Sequence, residues 1–162
     1  MRLQCGNDRS PVNAEIGELV RGKLDVDLFV LETDFGDFGN IGYLKLNAFS
    51  YNTDAYEAAV GAMGFLSNAD ALIIDLRANG GGAASMIRLL AGYLFAESTH
   101  LINWDIRAEK KTVQSHSPDY VPGKRIVEQP VYILTSDHTF SAAEEFTFDL
   151  QHLKRGTVVG DT

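Results

Sequence analysis

Two short segments carry residue types and spacings suited to chemistry. In Asp75-Leu76-Arg77-Ala78-Asn79-Gly80-Gly81-Gly82, three consecutive glycines stand just before a helical stretch. Glycine lacks a Cβ, so these residues can adopt positive φ and leave their backbone N–H groups unobstructed. At a helix N-terminus such amides meet the positive end of the helix dipole and can hold an anion or a developing oxyanion. A tight turn that lets strand and helix pack closely explains the same glycines without chemistry. A phosphate loop is disfavoured because no Gly-Lys-Ser/Thr follows, and Ser85 stands where a dinucleotide fingerprint has its third glycine.

The second segment is Thr135-Ser136-Asp137-His138-Thr139-Phe140-Ser141-Ala142-Ala143-Glu144. It puts Ser141 at a strand-to-helix elbow, where a hydroxyl is exposed at a helix N-terminus. Ala142 and Ala143 are small and leave room for a substrate carbonyl. Ser141-x-x-Glu144 is also a capping box, which accounts for both residues by helix capping alone. His138 is a base by type, although a histidine in such a loop is more often a solvated turn residue. His100, His116 and His152 lack the spacing of a metal site. Asp34 and Asp37 share a glycine-rich turn without the alternating oxygen ligands of a calcium loop. No metal and no cofactor is expected.

These segments need elements to position them. Residues 71–76 form a nearly continuous apolar run, as expected of a strand buried on both faces. The glycines then open a helix over about 83–96. The same plan recurs with a strand at 131–134, a polar turn and a helix at about 141–153, followed by a last strand at 156–160. Two such turns in a parallel sheet open on one edge, outside the carboxyl ends of the strands, where ligands collect.

Upstream, Val12, Ile16, Leu19 and Val20 have helical spacing. Strands at 28–31 and 41–49 flank a turn-rich stretch at 34–40, which suggests a hairpin. A helix over about 54–67 takes Thr53 or Asp54 as its N-cap and turns Tyr56, Ala59, Val60 and Met63 to one face. Residues 99–114 read as two exposed strands or a hairpin, and 115–124 as a loop. The fold class is α/β with a mainly parallel central sheet.

Composition bounds the function. The chain has 162 residues, 14 basic and 22 acidic, for a net charge of −8. An acidic balance argues against a nucleic-acid partner, because phosphate binding needs clustered Lys and Arg. With 45% apolar residues the chain can build a core without disulfides or metal. A single cysteine, Cys5, excludes an internal disulfide. The apolar run at 89–96 is far short of a bilayer span, so no membrane insertion is expected. Residues 1–10 lack the apolar region of a signal peptide.

Read together, four segments in order resemble the S41 peptidases, the C-terminal-processing or tail-specific protease family. The flavour is that of the branch similar to interphotoreceptor retinoid-binding protein and the tricorn core. The segments are Gly42-Tyr43-Leu44-x-Leu46 with Phe49, then Ile74-Asp75-Leu76-Arg77-x-Asn79-x-Gly81-Gly82. Leu134-Thr135-Ser136-x-x-Thr139-Phe140-Ser141-Ala142-Ala143-Glu144 follows, and Arg155-Gly156-Thr157-Val158-Val159-Gly160 comes last. The resemblance implies a ClpP/crotonase-like spiral of β-β-α units, cut short at the C-terminus. Residues 1–40 would be a lead-in helix and hairpin, and 41–162 an incomplete catalytic core.

It further implies Ser141 as the nucleophile attacking a peptide carbonyl. The oxyanion hole would use the amides of Gly81 or Gly82 and of Ala142. A serine hydroxyl needs a neighbour to accept its proton. In the processing branch that neighbour is a lysine in a glycine-rich loop downstream of the serine, past the end of this chain. Lys154 lies on the same helix, about 20 Å along the axis from Ser141. The upstream histidine of the tricorn-like branch has no match, since His100 and His116 both follow the glycines. The PDZ domain of many relatives has no counterpart.

The expected function is therefore a serine peptidase core that acts on extended polypeptides, with weak or absent activity for want of a base. The alternative is a non-catalytic module that binds a hydrophobic ligand or peptide. Phe35, Phe38 and Trp104 would suit that ligand, although core or turn packing explains them more cheaply. Relatives of this type are often exported, which points to an envelope location, and the resemblance allows a homo-oligomer.

Overall fold

The computed structural model describes residues 26–32 and 39–160. Strand β1 (Val26–Glu32) runs antiparallel to β2 (Asn40–Leu46), with Glu32 opposite Asn40 at the turn end. From β2 onward the sheet is parallel, through β3 (Ala71–Asp75), β6 (Val131–Thr135) and β7 (Thr157–Gly160), in the order β1-β2-β3-β6-β7. Each crossover carries a helix: α1 (Thr53–Leu66), α2 (Ala84–Leu94) and α3 (Ala142–His152). The crossover from β3 to β6 also holds a separate antiparallel hairpin, β4 (His100–Ile106) and β5 (Lys111–His116). This is a mixed α/β architecture around a parallel sheet.

Alternation along the strands decides where the core sits. Leu44, Ile74 and Ile133 stand side by side in register on one sheet face and are buried. Helix α2 packs against both α1 and α3, so the three helices form one layer over that face. Phe49, Met63, Leu66, Ile87, Tyr93 and Phe146 fill the space between the layers. The chain steps across the sheet in one direction, which brings the carboxyl ends of β2, β3 and β6 to one edge.

Several expectations shift by small, physical amounts. The N-cap of α1 is Asn52, whose Oδ1 accepts from the Ala55 N–H at 2.8 Å, rather than Thr53 or Asp54. Its buried stripe is Ala55, Ala59, Ala62, Met63 and Leu66, and Tyr56 is exposed. Both corrections have one cause: the helix begins a residue earlier and is rotated to set its alanines against the sheet. Helix α2 stops at Leu94 because Phe95 is extended, and Ser115 and His116 belong to β5 rather than to a loop. The expected helix at 12–24, the turn residues Asp34 and Asp37, Phe35, Phe38 and Cys5 lie outside the described residues. Among the described residues no helix is long and apolar enough to cross a membrane.

Candidate active site

The site grows from the ends of β3 and β6. Asp75 closes β3 with its side chain buried, an expensive place for a charge without partners. Arg77 grips it with two side-chain bonds, Nε to Oδ1 at 2.9 Å and Nη2 to Oδ2 at 2.8 Å, and adds its backbone N–H at 3.0 Å. The Tyr43 hydroxyl donates from β2 at 2.5 Å. Burial pushes the Asp75 carboxyl up, but the bonds from Arg77 and Tyr43 outweigh it and bring the pKa down to about 2. Burial, together with the bond to Asp75, raises the Tyr43 phenol to about 12. Asp75 is thus a fixed anion that ties β2 to β3 just below the turn.

Asn79 is the keystone of that turn. It is fully buried, and its Nδ2 donates to Leu46 O at 2.7 Å while its Oδ1 accepts from the Gly81 N–H at 2.8 Å. Its carbonyl takes the Phe140 N–H at 3.0 Å, which joins the glycine turn to the serine turn. Three more bonds lace the two turns together: Leu76 N to Leu134 O at 2.9 Å, Thr139 Oγ1 to Leu76 O at 3.0 Å and Ser136 Oγ to Arg77 O at 2.7 Å. The expected shared edge is therefore real. A lone asparagine between a strand and glycines signals an Asx turn; that reading was available in the sequence, but its link to Leu46 was not.

The glycines are required by contact as well as by backbone angle. Gly81 has φ 101° and Gly82 φ 144°. A Cβ at Gly81 would lie 2.8 Å from the Ser141 Cβ and 3.0 Å from the Ala142 N. A Cβ at Gly82 would lie 2.2 Å from the Phe49 carbonyl oxygen. Phe49 and Gly82 form a parallel bridge, with Phe49 N to Gly81 O at 2.8 Å and Ala83 N to Phe49 O at 2.7 Å. In such a bridge the N–H of Gly82 points away from Phe49, and it has no partner among the described residues.

Ser141 is exposed and holds φ 56°, ψ −117°, a conformation that L residues rarely adopt. Glu144 stabilises the elbow by accepting the Ser141 N–H at 2.5 Å, so the capping box is present. The Ala142 N–H, first in α3, has no partner among the described residues, as helix geometry dictates. The structure therefore brings Ser141, Gly81, Gly82 and Ala142 together. Among the described residues it brings no histidine or lysine to them. His138 is exposed and bonds Asp137 at 2.6 Å, and Lys154 lies beyond the far end of α3. His100 and His116 meet edge to edge at the base of the hairpin, and no group of three ligand-type side chains suited to a metal occurs among the described residues.

Two features escaped the sequence. Asp149 on α3 is buried with neither carboxylate oxygen hydrogen-bonded among the described residues, one turn from Glu145, whose Oε1 is likewise buried without a partner among them. Burial first, then the Glu145 charge, push Asp149 up to about 7, with His100 pulling the other way. There is also a cavity of about 320 Å³ between α3 and the preceding turn, lined by Phe140, Glu144 and Phe148 among others.

The model of peptidase family S41 matches residues 40–162. The carboxyl-terminal-processing protease of Synechocystis sp. is 29% identical over 124 residues, covering 75% of this chain and 27% of that protein. Among solved structures, the photosystem II D1 C-terminal processing protease superposes with a TM-score of 0.63 at 22% identity, over 82% of this chain and 35% of that one. Mature CPAF complexed with lactacystin gives 0.63 at 13% identity, over 83% of this chain and 40% of that one. The chain thus spans well under half the length of these proteins, and at such identities the structural likeness speaks for the fold alone.

Proposed function

The chain belongs to peptidase family S41, and from that premise we propose that it is a serine-type peptidase core that cleaves peptide bonds of extended polypeptides through Ser141. The observation that carries this reading is the Ser141 backbone, a non-glycine residue held at φ 56° against Gly81 at the head of a helix. Strain of this kind costs on the order of 1–3 kcal/mol and persists where the surroundings impose it, most often at working sites. A capping box needs no such conformation.

In this reading the Ser141 Oγ attacks the peptide carbonyl, and the oxyanion that forms is met by backbone N–H groups. Ala142 supplies one. Gly82 supplies the other, because the Gly81 N–H is already committed to Asn79. Gly81 contributes by its missing side chain, which would otherwise press on Ser141. Such donors are preorganised and need no rearrangement during the reaction. The proton of Ser141 goes to an acceptor outside the described residues. The one-way advance of the sheet supports the finer reading of a ClpP/crotonase-like spiral, with residues 41–162 as its catalytic core.

The test is a fluorophosphonate probe on the intact protein. We expect a label that disappears in Ser141→Ala, with the fold unchanged by circular dichroism. A well-folded protein that takes no label overturns the peptidase reading and leaves the non-catalytic binding module. Residues 1–162 alone are expected to hydrolyse peptides weakly or not at all. Robust turnover by them would place the proton acceptor within this chain.

A further inference from the structure

The β4–β5 hairpin pairs with no other strand among the described residues, and its two ends are held differently. At the base Leu101 and Ser115 are buried, the Ser117 N–H donates to Thr99 O at 2.9 Å, and Ser98 Oγ donates to Ser117 O at 2.6 Å. Beyond that clasp every residue from 103 to 114 is exposed. Four residues of strand at about 3.4 Å each carry the turn roughly 14 Å past the base.

The exposed part is nonetheless amphipathic. Trp104 stands opposite Val113 and Ile106 opposite Lys111, and residues directly opposite in an antiparallel pair share a face. Trp104, Ile106 and Val113 therefore make one apolar face, with Lys111 at its edge. The other face is polar, and there Thr112 Oγ1 donates to Asp105 Oδ1 at 2.6 Å. Alternation of this kind serves to cover the apolar face, and a two-stranded hairpin without cover is marginal in water. Here that face is open, with Trp104 46%, Ile106 38% and Val113 36% exposed.

Charge and area together indicate what covers it. In the five residues that close the hairpin, Arg107, Lys110 and Lys111 stand against one acid, Glu109, within a chain of net charge −8. The positive tip projects farther than the Debye length of about 8 Å at physiological salt, so an anionic surface meets it before it meets the acidic body. The apolar area on offer is roughly 250 Å², well below the ~800 Å² per partner of a stable protein interface. A second copy or a folded partner gains too little there. A bilayer needs no complementary shape, and its headgroup region takes up tryptophan flanked by basic residues.

We propose that the tip of the β4–β5 hairpin is a membrane-surface contact for anionic lipid. Trp104, Ile106 and Val113 dip into the interface, and Arg107, Lys110 and Lys111 meet the headgroups. The contact is peripheral, spans nothing, and is independent of the chemistry at Ser141.

The experiment is co-sedimentation of the intact protein with vesicles of phosphatidylcholine, alone or with about one-third phosphatidylglycerol. Partitioning is expected to be at least about 20-fold stronger on the anionic vesicles and to weaken as salt rises. Trp104→Ala should weaken it about 10-fold and Lys111→Glu about 20-fold, each with its fold intact by circular dichroism. Lys124→Glu makes the same charge change away from the hairpin and should cost less than about 2-fold. On bound vesicles the fluorescence that Trp104→Phe removes should shift to the blue. No binding, equal binding to both vesicle types, or binding unmoved by both hairpin variants overturns the proposal. Equal losses for Lys111→Glu and Lys124→Glu overturn it too. A dimer in sedimentation velocity that Trp104→Ala dissolves, with no vesicle binding, would instead assign the face to a second copy and overturn the lipid contact.

Discussion

The turn after β3 and the turn after β6 share one plan, a strand passing into a helix across the same sheet edge, yet they differ in how completely they are satisfied. In the first, every buried polar side chain has partners: Asp75 is held by Arg77 and Tyr43, and Asn79 by Leu46 and Gly81. Its positive φ angles fall on glycines. In the second, a serine takes the positive φ, and Thr135 Oγ1, Glu145 Oε1 and both oxygens of Asp149 are buried without partners among the described residues. Phe140 and Phe148 stand bare beside them. The glycine unit is thus a scaffold that fixes amides in place. The serine unit carries strain, orphaned polar atoms and exposed rings, which stability alone would have removed and which collect where a protein works.

If the glycine unit is the rigid member, Gly82→Ala is the most damaging change. Its Cβ would meet the Phe49 backbone, which has no flexible end to yield, at a φ that alanine rarely adopts. We expect a loss of more than about 3 kcal/mol in urea unfolding. A wild-type midpoint would erase the distinction between the two turns. Asn79→Ala comes next, because it strands Leu46 O and the Gly81 N–H together. It should cost about 2–3 kcal/mol by the same measurement.

The serine unit is expected to behave in the opposite way, with changes that stabilise. Asp149 has a folded pKa of about 7, above its ordinary carboxylate value. Below that ordinary value the group is protonated in both states. As pH rises from there to about 7 the unfolded chain ionises first, so stability falls across that window and then levels. Asp149→Asn should remove this slope, gaining roughly 1–3 kcal/mol at pH 8 and almost nothing at pH 4. Thermal unfolding at the two pH values checks it, and equal effects at both would refute the buried carboxylate. The smallest effect is at the elbow itself. Ser141→Gly should exceed Ser141→Ala in stability by about 1 kcal/mol, since only glycine relaxes at φ 56°. The reverse order would mean the elbow is unstrained.

Much of this was legible because it is local. The apolar runs that became β3 and β6, the glycines before α2 and the hairpin at β4–β5 are patterns of adjacent residues, and strand period and turn chemistry read directly from them. The Ser141 elbow was legible for the same reason, although the sequence could not separate it from a simple helix cap. What a simple cap does not require is the backbone angle at Ser141, and that angle appears only in the packed fold, where Gly81 of another turn lies against it. The N-cap of α1 moved from Thr53 or Asp54 to Asn52 because Asn, Thr and Asp are nearly equal as caps, and packing of the alanine stripe made the choice.

By itself, then, the amino-acid sequence determined the alternation of strands and helices, the family, and two turns able to offer amides and a hydroxyl. The tertiary structure decided which amides are free, since Asn79 claims Gly81 through a contact with Leu46 that lies 33 residues away. It also buried Asp149 without a hydrogen-bond partner among the described residues and left Phe140 and Phe148 exposed. The physical reason is the same in each case. Helix and strand formation follow from neighbours along the chain, whereas hydrogen-bond satisfaction and burial depend on groups that only the packed fold brings together.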